Sequence, residues 1–380
     1  MSERNGGNAI GSRLHRVALG LLATSLWSCT GASATAFSPG DADSSTRQIV
    51  GVAGSHMTLN DVFWLSRGVT LQAFVRPLAA LQTSPNQAAV LDARRNYGPL
   101  ELAKIRSFGA DTIRFQVGQP ALDPDSPLYD PRYFGELVAG IAQARRAGFV
   151  VMIMLQDEAI SGETVHHPLP TAETGTDWDR LVTAFGADRG VVFELYNEPS
   201  LPATPANWQL WREAMQPLIE RVRAGGAKNV LVLDGLGLAR ALDGVPPMSD
   251  PLDRLVYAVH PYQHGSRNES QWDTEFGAPS ARMPVWADEW SAPAGLKLGL
   301  GTLPGYRVAV DLLNYLRGHA IPLCTGAFDV PPFVVRDVPG WTLTNYDDYF
   351  PGNRSDGSGT LVYRDFNARY SRELTPADGL

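Results

Sequence analysis

The sequence predicts an α/β fold, a single (β/α)8 TIM barrel with long loops at the C-terminal face of its strands. Two observations support this prediction. From about residue 67 onward, short runs rich in β-branched and aromatic residues alternate with longer segments of helical periodicity. Eight such runs occur, which is the number of strands in a barrel of this kind. A length of 380 residues fits one such domain, so one domain is the simpler interpretation.

The candidate strands are short and apolar, as expected for strands that are buried on both faces. Some helical segments between them end at a glycine, such as Gly109 and Gly148, which is a common stop signal. The candidate strands are 68–74, 112–117, 149–155, 191–196, 230–234, 255–260, 284–288 and 320–324, and the clearest helical segments are 133–147, 208–224 and 306–317.

The same alternation with fewer strands would give a doubly wound sheet, which remains open as an alternative. No glycine-rich dinucleotide fingerprint follows the first candidate strand, and we interpret Gly235 and Gly237 after the fifth strand as a turn. Pairs of proline and glycine residues interrupt residues 324–358, which predicts a long loop region. On a barrel, such loops after a strand build the functional face.

Composition limits the classes of function. The chain has 32 Lys and Arg against 40 Asp and Glu, a net charge of −8, which argues against a nucleic-acid binder with a basic face. With 44% hydrophobic residues the chain can bury a large core, so global disorder is excluded. No run after residue 36 reaches the roughly twenty apolar residues that a membrane span requires.

The first 36 residues are predicted to be a signal peptide or a lipoprotein signal. Arginines precede an apolar run over residues 17–27 that is too short to span a bilayer. Two cleavage points remain open: one before Cys29, which would carry a lipid anchor, and one after Ala36. We therefore expect an exported protein that is periplasmic, attached to the outer surface or secreted, and that contacts membrane only through such an anchor. Residues 37–48 are predicted to be a tether and residues 49–380 the barrel domain.

Cys324 lies in a strand pattern. If Cys29 is removed or lipidated, Cys324 has no partner for an intrachain disulfide. We expect Cys324 to pack as a small buried hydrophobe.

Two glutamates follow predicted strand ends. Glu198 comes at the end of the fourth candidate strand, where Pro199 stops the strand and fixes the turn. Glu289 comes just after the seventh candidate strand. Because chemistry in a barrel concentrates at the carboxyl ends of the strands, both are candidate catalytic residues.

Over roughly residues 67–325 the sequence resembles glycoside hydrolase family 5, the cellulase-like family, in clan A of the retaining (β/α)8 glycoside hydrolases. Four motifs in the family's order support the resemblance. They are Arg114 on the second candidate strand, Asn197-Glu198-Pro199 at the end of the fourth, His260-Pro261-Tyr262 at the sixth and Glu289 after the seventh.

The resemblance implies that Glu198 is the general acid/base and Glu289 the nucleophile. Retaining hydrolysis requires the two carboxyl groups about 5 to 5.5 Å apart, one neutral and the other charged. The resemblance implies that the charge of Glu289 raises the pKa of Glu198, while Arg114 and the Tyr262 hydroxyl keep Glu289 ionised.

Two further roles follow from the resemblance. Asn197 would hold the sugar 2-hydroxyl, and His260 would bind a sugar hydroxyl or orient its neighbours. Two alternatives remain open. Arg114 could instead neutralise Glu194 inside the barrel, and His260 and Tyr262 could simply cap their strand.

The chain departs from the family pattern at two strand ends. After the third strand the family usually has a histidine, whereas this chain has Gln156-Asp157-Glu158, so we expect Asp157 or Glu158 to bind a different pattern of hydroxyls. The family usually has a tryptophan at the end of the eighth strand, which this chain lacks. The candidate rings for stacking on sugar are Trp290, Phe328 and Trp341.

Two other groups of residues have structural interpretations. Glu163, His166 and His167 could suggest a metal site, but no second set of ligands completes it, so a solvated loop is favoured. Trp208 and Trp211 are three residues apart on a helix and are expected in the core.

The sequence therefore predicts a retaining glycosidase that cleaves β-linked oligo- or polysaccharides. We expect it to need no metal or cofactor, to bind no nucleic acid and to act as a monomer. The sequence does not distinguish among endo-acting glucanases, mannanases and exo-acting β-glycosidases. The alternative from another class is a non-catalytic glycan-binding barrel lipoprotein, which the two altered strand ends favour and the pair of glutamates disfavours. A metal-dependent barrel hydrolase is a third hypothesis.

Overall fold

The computed structural model describes residues 48–162, 166–262, 268–291, 303–345 and 358–368. The predicted signal segment, Cys29, the tether up to residue 47 and Glu163 lie outside these ranges. No helix within the described ranges combines the length and the hydropathy needed to cross a bilayer.

The strands fall into two groups, a short antiparallel sheet formed by the first three and a barrel formed by the rest. They are β1 (Val50–Ala53), β2 (His56–Leu59), β3 (Val62–Phe63), β4 (Arg67–Leu71), β5 (Thr112–Gly118), β6 (Val150–Gln156), β7 (Val191–Glu194), β8 (Leu231–Asp234), β9 (Leu255–Ala258), β10 (Val285–Trp290) and β11 (Leu323–Thr325).

Strands β4 to β11 form a closed barrel of eight parallel strands. Each strand pairs with the next along the chain, and β11 pairs back onto β4 with Cys324 opposite Gly68. Every candidate strand from the sequence overlaps one of these, so the predicted barrel is confirmed and the doubly wound alternative is wrong.

Helices follow most of the barrel strands. The predicted segments 133–147, 208–224 and 306–317 correspond to the helices Tyr133–Arg146, Pro205–Ala224 and Leu303–Gly318. Gly109 ends α3 with a φ of 101°, a left-handed conformation that costs glycine no Cβ clash. The helices are α1 (Leu78–Thr83), α2 (Ala88–Asn96), α3 (Pro99–Phe108), α4 (Tyr133–Arg146), α5 (Ala172–Phe185), α6 (Pro205–Ala224), α7 (Leu236–Ala239), α8 (Glu269–Trp272), α9 (Ala278–Ser280), α10 (Leu303–Gly318) and α11 (Gly359–Asn367).

Two regions were predicted to lack regular structure. Gly235 and Gly237 lie at the short turn α7, where Gly237 has a φ of 70°. After β11 the described residues up to Asn345 contain an isolated bridge between Val335 and Leu343 and otherwise no strand or helix. The predicted loop continues over residues 346–357, which lie outside the described ranges.

Side chains of the barrel strands alternate between the helix layer and the barrel interior. Val69, Ile113 and Phe115 belong to the core between strands and helices. In the interior, four strands each carry an apolar residue followed, two positions nearer the carboxyl end, by a charged or titratable one. These pairs are Val192 and Glu194, Val232 and Asp234, Ala258 and His260, and Trp286 and Asp288.

The sheet of β1, β2 and β3 was not predicted from the sequence. Val50, Met57 and Trp64 from this segment pack with residues at the amino-terminal halves of the barrel strands, such as Val150 and Val230. The indole of Trp64 meets Trp286 edge to face, with ring centroids 5.9 Å apart. The sheet therefore covers the amino-terminal end of the barrel.

Three residues expected in the core are found there. Cys324 is a free, fully buried thiol in the barrel interior, which confirms its packing role. Trp208 and Trp211 of α6 are buried and pack edge to face, which confirms their core position.

Candidate active site

The predicted catalytic residues lie on or just after barrel strands. Arg114 lies within β5 and Glu289 within β10, while Glu198 follows β7 and both His260 and Tyr262 follow β9. Because all strands of the barrel are parallel, their carboxyl ends meet at one face. The structure brings these five side chains together at that face.

Arg114 is fully buried, and its guanidinium contacts two carboxylates and an amide. Nε and Nη2 each donate to the Glu194 carboxylate at 2.6 Å. Nη1 donates to Glu289 Oε2 at 2.6 Å, and Nη2 also donates to Asn197 Oδ1 at 2.8 Å. Burial alone would lower the pKa of Arg114, but the charges of Glu194 and Glu289 outweigh burial and raise it well above its ordinary value. Both contacts considered from the sequence, with Glu194 and with the site, are present.

Glu289 is surrounded by donors. The Tyr262 hydroxyl donates to its Oε1 atom at 2.9 Å, while Arg114 Nη1 donates to its Oε2 atom. Burial alone would raise the pKa of Glu289, but the positive charges of His260 and Arg114, together with these hydrogen bonds, lower it to about 2. At neutral pH Glu289 is therefore a carboxylate.

Glu198 has a different environment. Its φ of +51° is uncommon for a residue with a side chain, and its backbone N–H donates to Asp234 Oδ2 at 2.9 Å. The Glu198 carboxyl is 18% exposed, and its Oε1 atom lies 2.8 Å from His260 Nδ1. One carboxylate oxygen of Glu198, one of Glu289 and one ring nitrogen of His260 all lie within 4.8 Å of one another.

His260 is completely buried between the two glutamates and deeper carboxylates. Its Nε2 atom lies 3.2 Å from Asp288 Oδ1 and 3.6 Å from Asp234 Oδ2. Burial alone would lower the pKa of His260, but the charge of Glu289 and the contacts with Asp288 and Glu198 raise it well above its ordinary value. His260 and Tyr262 thus contact the candidate catalytic carboxylates and do more than cap β9.

A layer of buried carboxylates beneath the site was largely missed from the sequence. Glu194 was considered only as a partner of Arg114, and Asp234 and Asp288 were not singled out, although all three are completely buried. Burial raises the pKa of Glu194 well above its ordinary value despite Arg114. Burial and the charge of Asp288 raise the pKa of Asp234 to about 8. The signal that could have found them is their position, two residues after an interior apolar residue.

The side chains of this layer are close enough together to hold a metal ion. Ligand atoms of Glu194, Asp234, His260 and Asp288 all lie within 4.8 Å of one another. The guanidinium of Arg114, which pairs with Glu194, already supplies positive charge at this position.

The end of the third barrel strand contains two carboxylates with different partners. Asp157 is buried, and its Oδ2 atom lies 2.6 Å from His167 Nδ1 and 3.4 Å from the Tyr196 hydroxyl. Glu158 instead accepts a hydrogen bond from Asn197 Nδ2 at 2.6 Å. Of the two candidates, Glu158 is the one that contacts a motif residue. The solvated-loop interpretation holds for His167, whose side chain is 49% exposed although its ring also contacts Asp157.

The electrostatic environment of Glu158 connects it to the catalytic pair. Burial and the charge of Glu198 raise its pKa, the hydrogen bond from Asn197 lowers it, and the charge of Glu289 raises it again. The resulting pKa of Glu158 is about 7. The site therefore contains a third carboxyl group that changes charge near neutral pH.

The three aromatic residues predicted to stack on sugar are buried, so this prediction is wrong. Trp290, Phe328 and Trp341 are 0%, 1% and 6% exposed. Trp290 belongs to the helix-facing core, because neighbours on a strand face opposite sides and Glu289 faces the site. Phe328 packs against Phe108 of α3 with ring centroids 5.4 Å apart. A large apolar residue after a strand fills the helix layer as readily as it lines a cleft.

Comparison with known proteins places these features in a family. The family model for cellulase (glycosyl hydrolase family 5) matches residues 101–293, just over half of the chain. Endoglucanase 1 from Robillarda sp. (strain Y-20) is 27% identical over 206 residues, which is 50% of this chain and 52% of that protein. The chain thus spans about half the length of this curated relative.

Several solved structures share the fold. A β-glucanase from Saccharophagus degradans in complex with cellotetraose has a TM-score of 0.60 at 19% identity, covering 80% of this chain and 92% of that chain. An endocellulase from Pyrococcus horikoshii in complex with cellotetraose has a TM-score of 0.60 at 16% identity, covering 84% of this chain and 99% of that chain. At these identities the likeness shows the fold alone.

Proposed function

The chain belongs to glycosyl hydrolase family 5, the cellulase family, and from this premise we propose that it is an enzyme that hydrolyses O-glycosidic bonds of β-linked glycans with retention of configuration. One observation supports the proposal most directly. Glu198 and Glu289 lie close together in unlike environments, the second held ionised by two donors and the first free of any contact with Arg114 among the contacts described. Retaining glycosidases need such a pair of carboxyl groups in two different roles.

In the first half-reaction, an oxygen of the ionised Glu289 attacks the anomeric carbon while Glu198 gives its proton to the departing glycosidic oxygen. The bond between the anomeric carbon and that oxygen breaks, and a glycosyl ester of Glu289 forms. Arg114 and Tyr262 keep the attacking carboxylate charged and fix its orientation.

In the second half-reaction, Glu198 has become a carboxylate and takes a proton from water. The water oxygen attacks the same carbon and expels the Glu289 carboxylate, which restores both groups. The imidazole of His260, whose Nδ1 atom lies 2.8 Å from Glu198 Oε1, stabilises the carboxylate form of Glu198 between the two steps by donating a hydrogen bond.

The separation of the two groups supports retention over inversion. Their ligand oxygens lie within 4.8 Å of each other. Retaining enzymes hold the two carboxyl groups about 5 to 5.5 Å apart, whereas inverting enzymes leave about 6.5 to 9.5 Å for a water molecule.

β-Glucans are the first substrates to test. The relatives are named as an endoglucanase and as a β-glucanase in complex with cellotetraose. We propose a β-linked glucan for this chain as well, because the acid/base and nucleophile positions match the family's motifs, although Gln156-Asp157-Glu158 stands where the family usually has a histidine.

We also propose that the enzyme acts after export. The arginines and the apolar run over residues 17–27 support this proposal, and Cys29 is the residue that would carry a lipid anchor. Fractionation of cells that express the Cys29→Ser variant tests it: a shift from membrane to soluble exported fractions is expected if Cys29 is lipidated.

The decisive experiment is hydrolysis of aryl β-cellobioside, with the product anomer followed by proton NMR. A retaining enzyme releases the β-anomer first. Replacing Glu289 with Ala should abolish turnover, and added azide should rescue it as the α-glycosyl azide. Replacing Glu198 with Ala should give a β-glycosyl azide instead, because azide then attacks the glycosyl ester.

A matched control is available in Glu213→Gln, since Glu213 is exposed on α6. This variant should keep wild-type kinetics. Turnover by Glu289→Ala without azide would contradict the assignment of the nucleophile. Binding of cello-oligosaccharides by the wild-type protein without cleavage of any glycoside would replace the proposal with a non-catalytic glycan-binding function.

A further inference from the structure

A continuous chain of hydrogen bonds connects Glu158 to the candidate nucleophile. Glu289 accepts from Nη1 of Arg114, whose Nη2 donates to the Asn197 carbonyl. The Asn197 amide nitrogen then donates to Glu158 Oε1 at 2.6 Å. Glu158 thus lies at the far end of a series of hydrogen bonds that begins at the reacting carboxylate.

This series of hydrogen bonds fixes the orientation of the Asn197 amide. Arginine can only donate, so the Asn197 oxygen must face Arg114. The amide nitrogen then needs an acceptor on the opposite side, and Glu158 is that acceptor. Without Glu158, the contact with Arg114 would be the remaining restraint on this side chain among the hydrogen bonds described.

The backbone at Glu158 is itself held in place. Its N–H donates to Ser161 Oγ at 3.2 Å, and the Ser161 hydroxyl donates back to the Glu158 carbonyl at 2.6 Å. Ser161 is buried, so this reciprocal pair anchors the start of the turn that follows β6. The Glu158 side chain is therefore presented to Asn197 from a fixed support.

Charged and titratable groups face Glu158 from several elements. Glu198 after β7 and Glu289 in β10 both act on it electrostatically, and Tyr196, just after β7, is affected by its charge. On its own segment, Asp157 is paired with His167. Arg114 reaches Glu158 only through Asn197 in the bonds described.

We propose that Glu158 is a positioning residue for the hydrolysis: it accepts the hydrogen bond that locks the Asn197 amide in one orientation beside Arg114. The inference rests on the proposed function and adds to it a residue at the strand end where this chain departs from the family pattern.

Two variants test the hydrogen bond to Asn197. Glu158→Gln keeps an oxygen that accepts from Asn197, so we expect its kcat and KM to stay within about threefold of wild type. Glu158→Asp keeps the carboxylate but is one methylene too short for the bond to Asn197. We expect its kcat to fall about 10- to 100-fold while KM changes less.

A readout without turnover separates this inference from the proposed function. The side-chain amide protons of Asn197, followed by nitrogen-15 NMR, should exchange slowly with solvent in the wild-type protein, in the control Glu213→Gln and in Glu158→Gln, and faster in Glu158→Asp. Thermal unfolding checks that each variant is folded. A Glu158→Asp variant with wild-type kcat, or with unchanged exchange of the Asn197 amide, would overturn the inference, whereas a wild-type protein that cleaves no glycoside but shows this pattern of exchange would overturn only the proposed function.

Discussion

The Nδ1 atom of His260 lies 2.8 Å from the Oε1 atom of Glu198, and the imidazole itself is completely buried. Its other nitrogen faces the buried carboxylates Asp288 and Asp234. Burial alone would lower the pKa of His260, but the charge of Glu289 and the contacts with Asp288 and Glu198 raise it well above its ordinary value. The candidate acid/base is thus held by a buried imidazole that lies between it and two deeper carboxylates.

We expect His260→Ala to lose much of the activity, because the variant lacks the hydrogen bond to Glu198 Oε1. Loss of one preorganised hydrogen-bond donor costs about 10²- to 10³-fold in kcat. Steady-state kinetics on an aryl β-cellobioside, with near-ultraviolet circular dichroism as a check of folding, measures the effect. A folded His260→Ala variant with wild-type kcat would show that this hydrogen bond is dispensable.

We expect Tyr262→Phe to move the acidic limb of the pH profile upward. The hydroxyl donates to Glu289 Oε1, and a hydrogen bond to a charged group contributes about 1.5 to 3 kcal/mol. At about 1.36 kcal/mol per pKa unit, the pKa of Glu289 should rise from about 2 by roughly one to two units. The carboxylate is then protonated at higher pH, and activity is lost earlier on acidification.

The control for this variant is Tyr363→Phe on α11, where the tyrosine is 38% exposed. Its pH profile should match that of the wild-type protein. An acidic limb that stays in place in Tyr262→Phe would contradict the role of this hydroxyl in keeping Glu289 ionised.

We expect Asp177→Asn to stabilise the protein at alkaline pH. Asp177 of α5 is buried, and no hydrogen-bond partner of its Oδ2 atom exists within the described part of the chain. Burial and the charge of Asp123 raise the pKa of Asp177 to about 8, far above its ordinary value of about 3.9. The unfolded chain ionises first, so the contribution of Asp177 to stability is greatest below about pH 4 and falls by up to about 1.4 kcal/mol per pH unit as the pH rises to about 8.

Asparagine cannot ionise, so the variant should lose less stability over this range. Thermal unfolding of both proteins at pH 5 and pH 8 measures the difference, and the gain in Tm from the substitution should be larger at pH 8. An equal change in Tm at the two pH values would mean that Asp177 does not titrate between them.

We expect Gly68→Ala to destabilise the barrel where its first and last strands meet. An added Cβ at Gly68 would lie 2.0 Å from Cys324 Sγ, too close for any real contact. Such overpacking lowers the free energy of unfolding by about 1 to 3 kcal/mol or more. Denaturant unfolding of the variant and the wild-type protein measures this loss. Adding Cys324→Ala should recover much of the loss because the sulfur is removed.

Gly135→Ala in α4 is the matched control, since an added Cβ there meets no atom within 4 Å. Alanine is the better helix former, so this variant should be as stable as the wild-type protein or slightly more. Full stability in Gly68→Ala alone would show that β4 and β11 can separate at this position without cost.

The barrel strands could be predicted because their signal is local. Runs such as residues 150–155 are apolar throughout, as expected for strands covered on both faces. The sheet of β1, β2 and β3 could not be predicted, because its strands have only two to four residues and its contacts are made with residues far along the chain. Stability there comes from tertiary packing, which no short window of sequence contains.

The site could be predicted in part for a similar reason. Glu198, Glu289, His260 and Tyr262 stand at strand ends, and parallel strands bring their ends to one face. The partners of Arg114 could be narrowed to two glutamates, and the structure has both. Trp290 was misjudged because its neighbour Glu289 faces the site, which sends the indole to the opposite side of the strand.

The position of Cys324 has a consequence for how unfolding can be observed. Its thiol is completely buried on the strand that pairs with β4, and burial raises its pKa well above its ordinary value. Thiolate is the form that reacts with alkylating reagents, so the folded protein shields this sulfur both sterically and chemically. The rate at which Cys324 is alkylated, located by peptide mapping, therefore measures how often β11 separates from β4 and the closed barrel opens into a sheet.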